Sequence, residues 1–209
     1  MPQHRMKRFV KYFVYAFVVI LLINFGVKAY WKMKSYSFSA YMKDAWTYCH
    51  EKGLNEDYCL FVDFSRPSGE DRIALYDFKT QSMVYAAPCA HGNGKGNTAW
   101  RPKFSNEEGS HCSVTGHFKV GGKGYSHAVG LHFKLDGLDA RNSNARQRHI
   151  YIHASKYVGI AATVTSYLPL TDASQGCFTT SEAMLKKIAE IRAKCDKPLL
   201  LYAYYDYYE

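Results

Sequence analysis

The chain has 209 residues, 47% hydrophobic, 16% aromatic and 22% charged, with a formal charge of +9, enough for one ordinary domain plus an appendage. Fifteen Gly and six Pro among so many aromatics exclude a disordered or collagen-like chain. Seven of the 27 Lys/Arg lie in residues 1–35, which hold no acid, leaving 20 basic against 18 acidic residues elsewhere. The folded part thus lacks the basic excess that a nucleic-acid surface needs.

In chain order, Tyr12 to Ile23 comes first, twelve residues without a charge, preceded by Arg5, Lys7, Arg8 and Lys11. Basic residues ahead of an apolar run keep that end cytoplasmic. Sixteen residues separate Lys11 from Lys28, slightly short of the roughly 20 that span a bilayer. Val27-Lys28-Ala29 before Tyr30 has the small residues of a signal-peptide cleavage site, but Lys28, Lys32 and Lys34 oppose cleavage. The reading leans to an uncleaved anchor in the inner membrane over residues 12–27, with everything after about residue 35 exported to the cell envelope or periplasm. In that compartment the six cysteines (49, 59, 89, 112, 177 and 195) default to three disulfides. Cys49 with Cys59 and Cys89 with Cys112 are the pairs expected by proximity in sequence; spacing leaves connectivity open.

Residues 36–52 predict a short helix, with Ala40, Met42, Ala45, Trp46 and Cys49 as its apolar stripe. Eighteen Tyr and twelve Phe favour strands, and apolar runs bounded by turn residues predict them at 58–64, 72–78 and 82–89. A Gly/Asn-rich loop follows at 91–97. Further strands are expected at 116–120, 131–135, 149–153 and 199–205. Residues 180–195 predict the helix of the main domain, with Met184, Leu185, Ile188, Ile191 and Cys195 at helical spacing and Thr179-x-x-Glu182 as a capping box. The expected fold is mostly β, a sandwich or partly closed barrel. Its organisation is 1–35 as targeting segment, 36–57 as helical lead-in and 58–209 as the main domain.

The chemistry gathers at two places. In His149-Ile150-Tyr151-Ile152-His153, a period of two sends Ile150 and Ile152 to one face and His149, Tyr151 and His153 to the other. Twenty-four residues after His153 stands Cys177, in Ser174-Gln175-Gly176-Cys177. Placed just ahead of the predicted helix, its thiol would feel the positive end of the helix dipole, which favours the thiolate. Gly176 lets the backbone turn N–H groups toward an oxyanion, and a His at a strand end supplies a general base.

This His-loop-Ser-x-Gly-Cys pattern resembles the signature of the YkuD-type L,D-transpeptidases. The resemblance runs from about Val62 to Tyr202 and is closest to the murein L,D-transpeptidase catalytic-domain-like branch. It includes Val62-Asp63-Phe64-Ser65-Arg66-Pro67-Ser68, Ala90-His91-Gly92, Phe104-Ser105-Asn106, Ser113-Val114-Thr115-Gly116, Leu135-Asp136-Gly137-Leu138 and Asn144 through His153. It implies a YkuD-like fold and a cysteine acyltransferase. Such an enzyme attacks the third residue of a peptidoglycan tetrapeptide stem, expels the terminal D-alanine and passes the acyl group to an amine. Carried over, Cys177 resembles the nucleophile and His153 its base. Gly176 and Cys177 N–H groups would form the oxyanion hole, Ser174 would brace the loop, and the Ala154 carbonyl would orient the imidazole. His91, His111 and Gln175 are the candidate substrate contacts. Two departures stand out: Ala154 where many relatives carry Gly, and Phe178-Thr179 where many carry an Arg shortly after the Cys. The loop from His153 to Cys177, with 158–170 inside it, is longer than in many relatives and suggests a lid or groove.

Two other enzyme classes lack their motifs. No Cys-x-x-Cys, His-Glu-x-x-His or His-x-His spacing supports a zinc site, and Ser-x-x-Lys and Lys-Thr-Gly are missing, which removes serine D,D-transpeptidation. No cofactor is expected, and oligomeric state is left open. The alternatives carried forward are an L,D-carboxypeptidase, with water as acceptor, and a non-catalytic, disulfide-stapled envelope binding protein.

Overall fold

The computed structural model describes residues 3–34 and 39–206. The chain divides into two compact units, Met1–Tyr36 and Ser37–Glu209. In the first, helix α1 (Gln3–Met33) has 31 residues. Within it, Arg5–Met33 is long and apolar enough to cross a membrane. The helix outruns the 16-residue apolar stretch because Lys and Arg are good helix formers and carry it through both basic flanks.

The second unit begins with α2 (Ser39–Glu51), followed by β1 (Tyr58–Asp63), β2 (Ile73–Asp77), β3 (Ser82–Ala87), β4 (Cys89–Ala90), β5 (Gly116–Ser126) and β6 (Gly130–Gly137). After a 3-10 turn at Ala140–Asn142 come β7 (Tyr151–Ala154), α3 (Lys156–Val164), β8 (Phe178–Thr180), α4 (Glu182–Arg192) and β9 (Leu200–Tyr204). All nine strands join one mixed sheet in the order β3-β2-β1-β9-β5-β6-β7-β8-β4. The sheet is not hydrogen-bonded shut. Its edge strands β3 and β4 are nevertheless separated in sequence by Pro88 alone, so the sheet curls until its edges meet at one residue that has no N–H to give.

Strand β9 lies near the centre, parallel to β1 and antiparallel to β5. Its Leu200, Leu201 and Ala203 are buried, as befits a strand covered on both faces. Leu60, Val62, Phe118, Leu135, Ile152 and Phe178 join it in the core, and α4 adds Met184, Leu185 and Ile188. On the other side α2 buries Ala45 and Cys49 and stacks Tyr41 on Tyr204, centroids 4.1 Å apart.

Several elements differ from expectation, each for a local reason. Strand β5 runs on to Ser126, through a register shift between Val120 and Lys123, where Gly121-Gly122 hid the strand signal behind a bulge. Pro88 divides the expected 82–89 strand. Residues 156–164 form the unexpected helix α3, whose Val158 packs with Ala90 and Leu168 in a small satellite core. Phe178–Thr180 is strand, and α4 starts only at Glu182, capped by the Ser181 hydroxyl, which accepts from the Met184 N–H. All six cysteines are free thiols. Cys49 and Cys59 are unbridged, yet the former lies near enough that its charge, after burial, pushes the Cys59 thiol up.

Candidate active site

Strands β7 and β8 run parallel, with Ile152 beside Phe178 and His153 beside Thr179. Ile152 and Phe178 face the core, so alternation places Tyr151, His153 and Thr179 on the opposite face. Cys177, one residue ahead of the first pair, falls beside Tyr151 and diagonal to His153. The two residues singled out in sequence are therefore neighbours across one strand pair.

Cys177 is half-buried, and its Sγ donates to the His149 carbonyl at 3.4 Å. His149 is turned out of the expected strand by φ = 54°, an uncommon conformation for a non-glycine residue, and this turn aims its carbonyl at the sulfur. Burial pushes the Cys177 thiol up to about 11, while the Tyr151 backbone N–H and the Arg148 guanidinium pull the other way. The expected helix-dipole effect does not operate. Three strand residues and the Ser181 cap lie between the sulfur and the first turn of α4, and a helix terminus acts only over its own first turn.

His153 is buried, 4% exposed. Its Nδ1 lies 3.2 Å from the Ala154 carbonyl and its Nε2 3.0 Å from Thr179 Oγ1. Thr179 Oγ1 in turn donates to the Ala173 carbonyl at 2.8 Å. Burial lowers the His153 pKa, the Ala154 carbonyl opposes this, and the cross-strand neighbour His132 lowers it further. The imidazole is thus a neutral base whose nitrogens both have partners, and neither is hydrogen-bonded to the sulfur in this resting arrangement. Such contacts often tighten only when substrate is bound.

Three backbone segments stack beneath this face. The Gly92 N–H donates to Ser113 Oγ at 3.0 Å, and that hydroxyl donates to the Gly176 carbonyl at 3.3 Å. The Asn93 N–H reaches the Ser174 carbonyl and the Gly94 N–H the His111 carbonyl, each at 3.1 Å. Gly176 has φ = 105°, and a Cβ there would sit 2.7 Å from the Cys112 carbonyl, so the turn into Cys177 requires glycine. The Ser174 hydroxyl donates to the Cys177 carbonyl at 2.7 Å, closing the loop on itself.

Arg148 fastens the assembly. Its Nη1 donates to the Ser105 carbonyl at 2.6 Å, and its Nη2 donates to Ser110 Oγ at 3.1 Å and the Cys112 carbonyl at 2.6 Å. Sequence spacing gave no hint of this role, nor of Thr179, which reads as a helix cap. Of the candidate substrate contacts, Gln175 and His111 are exposed and His91 is buried. The His91 Nε2 donates to the Thr98 carbonyl at 2.9 Å, and its Nδ1 lies 3.4 Å from Arg72 Nη2. Burial, with the Arg72 charge, takes its pKa down to about 3. His91 is therefore neutral and holds the 91–98 loop. Among the described residues no group of three His, Cys, Asp or Glu is placed to hold a metal ion.

A thiol and a buried imidazole thus share one face of a parallel strand pair, with a glycine turn entering the thiol. The family model YkuD_2, the L,D-transpeptidase catalytic domain, matches residues 32–204, and the chain belongs to that family. A comparison with curated proteins gives no match. Among solved structures, the chain is similar to a point mutant of the helical cell shape determining protein Pgp2 of Campylobacter jejuni, at 15% identity, 79% of this chain, 55% of that one and a TM-score of 0.48. It is also similar to an L,D-transpeptidase from Mycobacterium smegmatis, at 11% identity, 71% of this chain, 58% of that one and a TM-score of 0.42. The catalytic domain of the E. faecium L,D-transpeptidase gives 14% identity, 72% and 98% coverage and a TM-score of 0.43. The chain thus spans little more than half the length of the first two.

Proposed function

We propose that the chain is a peptidoglycan L,D-transpeptidase with Cys177 as nucleophile and His153 as general base. The observation that carries this reading is their shared face on β7 and β8, inside a domain matched to the family. His153 takes the Cys177 proton, and the thiolate attacks the carbonyl carbon of the third residue of a tetrapeptide stem. The oxyanion that forms is met by the backbone N–H groups of Gly176 and Cys177. As the bond to D-alanine breaks, its amine leaves with the proton from His153, and a thioester remains on Cys177. An acceptor amine then attacks the thioester, gives its proton to His153 and releases the cross-linked peptide with the thiol restored.

A neutral His153 and a protonated Cys177 are the starting states this sequence needs. In this reading α1 anchors the domain on the outer side of the inner membrane, where stem peptides lie. The test is to incubate the full chain in detergent with disaccharide tetrapeptides, with and without an added amine, and to follow products by mass spectrometry. The expected outcome is D-alanine release with amine incorporation, and loss of both in Cys177→Ala. Release without incorporation would make the enzyme an L,D-carboxypeptidase, and release that survives Cys177→Ala would remove the mechanism.

A further inference from the structure

We propose that Thr179 is a positioning residue for His153: its hydroxyl, tethered to the Ala173 carbonyl, is built to receive the Nε2–H of the imidazolium. This deepens, and rests on, the reading of Cys177 and His153 above.

The Ala154 and Ala173 carbonyls can only accept, while the Thr179 hydroxyl has one proton to give and lone pairs to receive. Because Nδ1 faces the Ala154 carbonyl at 3.2 Å, it carries a proton, and in the neutral ring Nε2 holds the lone pair. Nε2 at 3.0 Å and the Ala173 carbonyl at 2.8 Å then compete for the single Thr179 proton, so one of them goes without. Thr179 is 0% exposed, and no bulk water relieves the shortage.

Protonation at Nε2 resolves it. When the Cys177 Sγ–H bond breaks, its electron pair stays on sulfur and the proton ends on Nε2. Nδ1–H then donates to Ala154, Nε2–H donates to Thr179 Oγ1, and the hydroxyl donates to Ala173. Every donor has one acceptor. The array therefore favours the imidazolium, offsetting the burial of His153 and the nearby His132. The other titratable groups around the ring are Lys134 on β6, His149 and Tyr151 ahead of it on its own segment, and Cys177. Lys156 and Tyr157 belong to α3, which packs on β8. From the far side, α4 buries only Met184, Leu185 and Ile188.

The test measures carboxamidomethylation of Cys177 by iodoacetamide against pH, on the full chain in detergent, read at the Cys177 peptide by mass spectrometry. Thr179→Val keeps the branched shape and loses the hydroxyl. It is expected to move the Cys177 midpoint up by about one pH unit, the order expected for one hydrogen bond to a charged group. Thr179→Ser is expected to restore the wild-type midpoint. An unchanged midpoint in a folded Thr179→Val overturns the proposal and leaves Thr179 as packing alone. Should the valine variant not fold, the imidazole 15N spectrum of the wild-type chain decides: a neutral His153 protonated at Nδ1 is expected, and one protonated at Nε2 overturns the proposal. If His153→Ala leaves the wild-type profile unmoved, the base assignment itself has failed, which is a separate result.

Discussion

Arg148 makes the electrostatics of the thiol and the shape of the cleft depend on one side chain. Its fork holds Ser105, Ser110 and Cys112 together, and its charge favours the Cys177 thiolate. Lysine keeps the charge but cannot span three acceptors. Arg148→Lys is expected to cost about 2 kcal/mol in urea unfolding while leaving the Cys177 alkylation midpoint within about half a unit of wild type. Arg148→Gln should lose stability and also raise that midpoint. His91 makes a pH prediction of definite sign. Its pKa is depressed to about 3 in the fold against about 6.5 unfolded, so its contribution is complete above about pH 6.5 and shrinks as pH falls toward 3. Between pH 7 and pH 5 the urea stability should drop by about 2 kcal/mol from this residue, and His91→Gln should flatten that part of the curve. Cys177 and His153 could be singled out as a candidate pair because a strand-end His and a Gly-Cys turn are local patterns, and the strand register makes them neighbours. Arg148 could not be, since its three acceptors are 36–43 residues away and no spacing rule links them.

At the entry to α4, local propensity and the sheet compete, and the sheet prevails. Thr179-x-x-Glu182 has the form of a capping box, but β8 pairs with both β7 and β4, and that pairing draws Thr179 into a strand. The cap moves to Ser181. Ser181→Ala is therefore expected to lower stability by about 1 kcal/mol while leaving the pH profile of Cys177 alkylation unchanged. A shifted profile would mean that the helix terminus acts on the thiol after all. Most strands could be read from their apolar runs, because β1, β2 and β9 are buried almost throughout. What could not be read depends on partners distant in sequence. Beyond the Gly121-Gly122 bulge β5 is held as strand by the pairing of Lys123 to Ser126 with β6, and α3 is held by its contacts with Ala90 and Leu168. His149, expected in the strand, is diverted by its positive φ, and the carbonyl that meets the thiol comes from that diversion.

The chain joins a 31-residue helix with an apolar middle to a curled nine-stranded sheet that carries Cys177 and His153 on the face opposite the main core. The charge asymmetry marked the first part from sequence alone, because basic residues at the flanks of an apolar run require no tertiary partner. The full chain is expected to stay with membranes through alkaline carbonate washing, and a chain lacking residues 3–34 to appear in the supernatant. The six thiols, all unbridged, leave Cys177 available for chemistry. The most direct test is peptide mapping after brief exposure of the full chain to a disaccharide tetrapeptide and an acid quench. A disaccharide-tripeptide thioester is expected on the Cys177 peptide, absent from Cys177→Ala and depleted in His153→Ala. An acyl group on any other residue, or turnover with Cys177 removed, would contradict it.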